Sequence, residues 1–282
     1  MLAAAVWQWT RHEWKIGLIQ ELTTNLDAPP VPLNTLLSET ANAPKPRDDV
    51  WKKLLFRRVD VSGTYDFSRE VIIKNRRLGT LAGFHVITPL KLANSETYIL
   101  VNRGFLPLGM EGRDYRAKFH TPLNESFTGL IKEGVRPKFF SPSDGEPGGN
   151  NPWIDTWLRV DLNKMQMQLP FQILPVYLEK VGDAPSSEIL GNIIKESEAG
   201  RNEILMYTGD KRVNNQGPIG KSNGEIEEGA LPLPAHDTTP PPDIHLGYVF
   251  EWCFMALLTA AIGAILQLPR PSSRRPRQVS DS

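Results

Sequence analysis

The polar and apolar positions along this chain follow three different rhythms. From Leu246 to Leu268 the residues are apolar except for Glu251 and Gln267, with Tyr248, Trp252 and Thr259 the mildest interruptions. At about 1.5 Å per residue a helix over that stretch covers roughly 34 Å, against a hydrocarbon core of about 30 Å, so the pattern predicts a transmembrane helix over 244–268. At the other end, Trp7, Trp14, Leu18 and Leu22 recur at helical spacing with Arg11, His12, Glu13 and Lys15 between them. Aromatic and basic residues just after the short apolar run Leu2–Val6 suit a membrane–water interface. Residues 1–26 are therefore expected to be the membrane-exit end of a helix whose beginning is missing.

Between the ends the pattern is that of short strands. VWKKLLFRRVDVSGTYDF alternates best at Val59, Val61 and Tyr65 and holds a Ser-Gly pair, Ser62 and Gly63, that reads as a turn. EVIIKN, GFHVITPL, ETYILVNRGFLPL, ESFTGLIKEG and FQILPVYLEKVG follow, rich in β-branched and aromatic residues and bounded by Gly, Pro or Asn. Outside the termini no long stretch keeps a helical period. The expected fold class is α+β, a mostly antiparallel β domain over 27–216 anchored by a C-terminal transmembrane helix.

FSPSDGEPGGNNP and the polar region from Ser186 to Asp243 read as loops or insertions, with a short helix around Ile189–Ser197. The part at 217–243 offers too little apolar surface to offset chain entropy and reads as a flexible Pro-rich tether. After the span, Arg270, Arg274, Arg275 and Arg277 face only Asp281, whereas Glu225, Glu227, Glu228, Asp237 and Asp243 precede it against Lys221. The positive-inside tendency puts the basic tail, 269–282, on the matrix or cytoplasmic side and the β domain opposite.

Charge and cysteine usage narrow the function. Lysine plus arginine and aspartate plus glutamate number 32 each, which argues against nucleic acid as a partner. The single cysteine, Cys253, lies inside the span, so intrachain disulfides and CxxC redox chemistry are excluded. His12, His85, His120, His236 and His245 are scattered, and no zincin, nucleophile-elbow, P-loop or dinucleotide fingerprint occurs. Arg103 reads as a structural arginine at a strand end, with Asn102 and Gly104 supplying a turn, and Asp161 as the N-cap of a short stretch, Leu162–Gln168. No catalytic residue and no enzymatic activity is expected.

In this order the pieces resemble the Surfeit locus protein 1 family, membrane proteins involved in cytochrome c oxidase assembly that include the Shy-type members. The resemblance rests on WQWTRHEWKIGLI, with Trp7, Gln8, Arg11, Trp14 and Lys15; on VSGTYD, with Gly63, Tyr65 and Asp66; and on GFHVITP and VNRGF. WLRVD, GPIG and HLGYVFEW follow in the family's order. Two departures stand out: the family's first transmembrane helix is nearly all missing ahead of Trp7, as in an N-terminally truncated chain, and the link between GPIG and HLGY is expanded with a PPP-containing segment.

The resemblance implies an assembly factor for cytochrome c oxidase (complex IV), a chaperone acting on maturation of subunit I and its assembly intermediates. The expanded link resembles eukaryotic members and implies the mitochondrial inner membrane, with the soluble domain in the intermembrane space. It also implies haem a as a bound group, with His245 as the iron ligand and Tyr248 and Trp252 flanking the porphyrin. His245, Tyr248, Val249 and Trp252 share one helical face. Without the resemblance, His245 reads as an interfacial histidine facing lipid headgroups. The alternative function is a purely structural scaffold for respiratory complexes with no cofactor.

Overall fold

The computed structural model describes residues 1–41, 47–78, 81–137, 142, 144–149, 151–181, 185–194, 231–233 and 243–267. The expected tether at 217–243 and the basic tail at 269–282 lie almost wholly outside these residues. By contacts the chain divides into two compact units, Met1–Leu18 with Pro242–Ser282, and Ile19–Pro241.

The larger unit is a closed β-barrel. Its strands are β1 (Val31–Pro32), β2 (Arg58–Tyr65), β3 (Val71–Leu78), β4 (Leu81–Leu92), β5 (Tyr98–Pro107), β6 (Asn124–Glu133), β7 (Thr156–Trp157) and β8 (Ile173–Val181). Going round, β2 pairs with β6, β6 with β8, β8 with β5, β5 with β4, and the end of β4 returns to β2 through Gly63↔Leu92, Thr64↔Lys91 and Tyr65↔Leu90. The long β4 closes the ring because its two halves serve different neighbours: the first half pairs with β3 and the last with β2. Most pairings are antiparallel as expected, but β5–β8, β1–β2 and β3–β7 are parallel.

The expected turn at Ser62–Gly63 is not there. Strand β2 runs straight through both residues, pairing Ser62 with Ser126 and Gly63 with Glu125. The glycine serves closure instead, since a Cβ at Gly63 would stand 2.3 Å from the Lys91 carbonyl oxygen of β4. Strand alternation holds on either side, with Val59, Val61 and Tyr65 buried and Asp60 and Ser62 exposed. These inward residues meet Leu90, Leu92, Ile99, Val101, Ile131, Val176 and Leu178 in the barrel core.

Short helices close the core's open ends, more of them than the sequence pattern suggests. Helices α2 (Leu33–Ala41) and α3 (Arg47–Lys53) contribute Leu33, Leu36 and Trp51 to the barrel core. Helix α4 (Arg113–Ala117) precedes β6. Helix α5 (Leu162–Gln166) starts at Asp161, whose carboxylate accepts the Lys164 amide at 3.3 Å, the N-cap expected, and it buries Leu162 and Met165 beside Trp157. Helix α6 (Ser186–Ile194) begins earlier than the expected Ile189 and packs Ile189 and Ile193 against Leu130, Val181, Leu22 and Leu26.

Leu22 and Leu26 belong to α1 (Leu2–Asp27), a single helix of 26 residues. The smaller unit comprises the first part of α1 and α7 (Asp243–Gln267). His245–Gln267 is long and apolar enough to cross a membrane.

Candidate functional site

In the smaller unit, one stripe of α1 is covered while its opposite side is open. Ala5, His12 and Lys15 are buried to 5%, 9% and 6% of their full exposure, and Gln8, one turn after Ala4, is half-buried with them. On α7 the half-buried residues include His245, Tyr248, Val249 and Trp252, the set that helical spacing places on one face, whereas Phe250, Glu251 and Phe254 are exposed. The two stripes are joined by a polar contact, His245 Nδ1 to Gln8 Oε1 at 2.7 Å.

The WQ block thus splits by direction. Gln8 and Lys15 turn to the covered stripe; Trp7, Arg11 and Trp14 turn outward, with the Arg11 guanidinium 4.0 Å over the Trp14 ring. Trp9 is also exposed and lies 5.9 Å from the His12 ring. Exposed indoles beside a cation are what a bilayer interface accommodates.

His245 is partly buried, with its Nδ1 engaged by Gln8. Among the described residues no group of three or more His, Cys, Asp or Glu could hold a bare metal ion. The nitrogen donor on this face of α7 is the single imidazole of His245. Tyr248 and Trp252 stand one and two turns further on, with ring surface to offer.

The barrel holds a different polar constellation. Glu70, in the short link between a 3₁₀ turn (Phe67–Arg69) and β3, is 3% exposed. Its Oε2 accepts from Arg103 Nη1 at 2.8 Å and Thr88 Oγ1 at 3.0 Å; its Oε1 lies 3.1 Å from Arg116 Nε. Arg116 also donates through Nη1 and Nη2 to Asp155, both at 3.0 Å, and through Nη1 to the Glu111 carbonyl. Arg103 Nη2 donates to the Phe119 carbonyl.

Two buried guanidinium groups, with the more exposed Arg113 3.1 Å from Asp155, thus meet two carboxylates. Partial burial alone would raise the Asp155 carboxyl, but the bonds and charges of Arg116 and Arg113 outweigh it and hold it below the ordinary carboxylate range. His120 stacks on Phe67 at 3.9 Å between ring centres, with Nε2 3.8 Å from Glu70 Oε2. Burial pushes its pKa down; Glu70 opposes that, and Arg103 and Arg116 add to it.

Arg103 is not at a strand end, as the sequence suggests, but in the middle of β5. Val86 faces Gly104 while Ile87 faces Asn102, so Arg103 is the extra residue of a β-bulge. Asn102 donates to His85 Nδ1 at 3.2 Å and accepts the Gly104 amide at 3.0 Å, which fixes the bulge. Gly104 has φ +128°, and a Cβ there would stand 2.3 Å from the Leu233 carbonyl oxygen. Leu233 pairs with Phe105 through both backbone bonds, at 2.8 and 3.0 Å.

The sequence pattern does not single out Glu70, Arg116 or Asp155, and it shows Thr88 only as part of the GFHVITP motif. Each stands at an element's edge or as a single polar residue in an apolar strand, and they are far apart in sequence. The one usable signal was an arginine inside the apolar run of β5, which demands a buried counter-charge somewhere.

A small closed barrel, in one chain with an apolar helix able to cross a membrane and preceded by a Trp- and Arg-bearing helix, defines the class. The profile described as the SURF1 family matches residues 1–257, and the chain belongs to that family. It is similar to Surfeit locus protein 1 of Xenopus tropicalis, 27% identical over 216 residues that make up 71% of this chain and 64% of the frog protein. Against Surfeit locus protein 1 of Mus musculus identity is 30% over 174 residues, 56% of this chain and 51% of the mouse protein. Against the SURF1-like protein of Monosiga brevicollis it is 27% over 213 residues, 71% of this chain and 74% of that protein. The chain thus spans between half and two thirds of the length of these two vertebrate relatives.

Proposed function

We propose that this protein is a non-enzymatic assembly factor for cytochrome c oxidase that acts on maturation of subunit I, with haem a as cargo on the helix pair. Family membership supports the process, and the half-exposed His245 beside Tyr248 and Trp252 supports the cargo. His245 would hold the haem iron through a ring nitrogen, and Tyr248 and Trp252 would give ring surface to the porphyrin. The apolar length of α7 accommodates a lipid-like tail on the macrocycle. The barrel, whose buried arginines and carboxylates are paired with one another, serves as the rigid part that subunit I or an assembly intermediate grips.

The family and the arginine-rich end beyond α7 support the mitochondrial inner membrane, with the barrel in the intermembrane space. A scaffold that carries no haem is the competing reading, favoured by the engagement of His245 with Gln8. Titrating the full chain in detergent with haem a decides between them. A saturable Soret band lost in His245→Ala supports cargo binding; its absence from the wild type leaves the scaffold.

A further inference from the structure

We infer that Gln8 is a positioning residue for His245: its side-chain carbonyl holds the Nδ1–H tautomer and presents Nε2 as the ligating nitrogen. The inference rests on the haem reading above for its purpose, but its structural half stands alone. Gln8 Oε1 lies 2.7 Å from His245 Nδ1, a short contact between an amide oxygen and an imidazole nitrogen. An amide oxygen only accepts, so the proton must reside on Nδ1, and the lone pair then falls to Nε2.

The surroundings suit a neutral ring. Arg11, His12 and Lys15 occupy the same stretch of α1 as Gln8, and Glu251, a turn and a half further along α7, points outward. A cationic imidazole would meet like charges, whereas a neutral donor to Gln8 does not. The bond also fixes the ring's rotation, because Gln8 sits on one helix and His245 on the other. An imidazole held by an outer acceptor is more basic at its free nitrogen and loses less freedom when it binds a metal. A lone histidine at a helix end has neither advantage.

The test has two arms, both on the full chain in detergent or nanodiscs. The first uses protein without haem, with nitrogen NMR of the His245 ring. Wild type should show a pyrrole-type Nδ1 and a pyridine-type Nε2. Gln8→Leu, which cannot accept, should show a tautomer mixture, and Gln8→Glu should restore the Nδ1–H form. A wild-type ring protonated at Nε2, with the amide turned to donate, would overturn the inference, as would a tautomer indifferent to Gln8→Leu. The second arm titrates haem a. Gln8→Leu should weaken binding about 10- to 100-fold, the usual effect of removing such a partner, while Gln8→Glu retains binding with a lower reduction potential. If wild type takes up haem and Gln8→Leu takes it up equally well, the positioning role fails while the haem reading survives. If wild type shows the expected tautomer but binds no haem, the haem reading fails and takes the purpose of the bond with it. Retained helicity and insertion of Gln8→Leu, together with rescue by Gln8→Glu, separate loss of the acceptor from loss of the helix pair.

Discussion

The barrel and the helix pair treat their polar side chains in opposite ways. In the barrel, Glu70 receives Arg103, Thr88 and Arg116, and Arg116 goes on to Asp155, so each charge is answered at close range and deep in the domain. In the helix pair, His245 is answered at Nδ1 by Gln8 and is only partly buried as a residue. A network whose charges are paired with one another deep in a domain chiefly specifies shape, even though Arg103 Nε and Arg116 Nε keep no hydrogen-bond partner. A ring with one free nitrogen contributes little to shape and retains its chemistry. On the proposed function the barrel supplies architecture and the helix pair ligand chemistry, a division that mutations can break at either end.

The largest effect is expected at Gly104. Replacing it with glutamate puts a Cβ 2.3 Å from the Leu233 carbonyl oxygen at φ +128°, and it also buries a new carboxylate beside the bulge. The clash is with backbone, so no rotamer relieves it. Gly104→Glu should abolish accumulation of folded protein, checked by protease resistance and yield of the soluble domain. A folded, protease-resistant Gly104→Glu that fails only in oxidase assembly would move the VNRG block from architecture to binding.

Next comes Glu70→Gln, which leaves Arg103 and Arg116 facing a neutral amide inside the domain. Removing one partner of a buried ion-pair network costs about 3–5 kcal/mol, which for a domain of this size lowers Tm by roughly 10 °C. Calorimetry of the barrel unit checks it. A change below about 1 kcal/mol would mean that water already reaches these groups.

His245→Ala sits on the other side of the comparison. Its loss removes one exposed-edge hydrogen bond worth about 1 kcal/mol, so insertion and barrel stability should be unchanged, while the Soret band of haem a-loaded protein disappears. A fall in barrel Tm with the Soret band retained would invert the roles of the two regions.

How much of this was legible beforehand follows from the range of the interactions. Strands such as EVIIKN and GFHVITPL, the Asp161 cap and the apolar helix are local patterns, and they read correctly. The face shared by His245, Tyr248 and Trp252 follows from helical spacing alone. Barrel closure does not, because it depends on β4 changing neighbours halfway, and the sequence shows only a glycine at 63 that looks like a turn. Arg103 looked like a strand end because a bulge carries the Asn-Gly signature of one; its partners Glu70 and Phe119 lie 33 and 16 residues away. The sequence shows Gln8 only as part of a motif, since its partner lies 237 residues further on.

The smallest expected effect probes the one titratable ring at the edge of the barrel network. His120 stacks on Phe67, and its side chain keeps 28% of its exposure. Burial lowers its pKa, and Arg103 and Arg116 reinforce that over the pull of Glu70, so the folded barrel prefers the neutral ring. The sign follows from proton counting: above the ordinary imidazole value of about 6.5 neither state is protonated and stability is full. As pH falls through that value the unfolded chain takes up a proton before the folded one does, and stability declines until the folded ring titrates too. The effect is modest, because the ring edge is still wetted. Measured as Tm at pH 8 minus Tm at pH 5.5, the difference should shrink in His120→Gln, which keeps the ring's approximate bulk but not its titration. Asp155 gives a second loss of stability in the same direction, beginning as pH falls through the ordinary carboxylate value of about 3.9, where the unfolded chain takes up a proton before the folded one does. If His120→Gln leaves the pH 8 to 5.5 difference untouched, the ring is indifferent to folding and the charge network ends at Glu70.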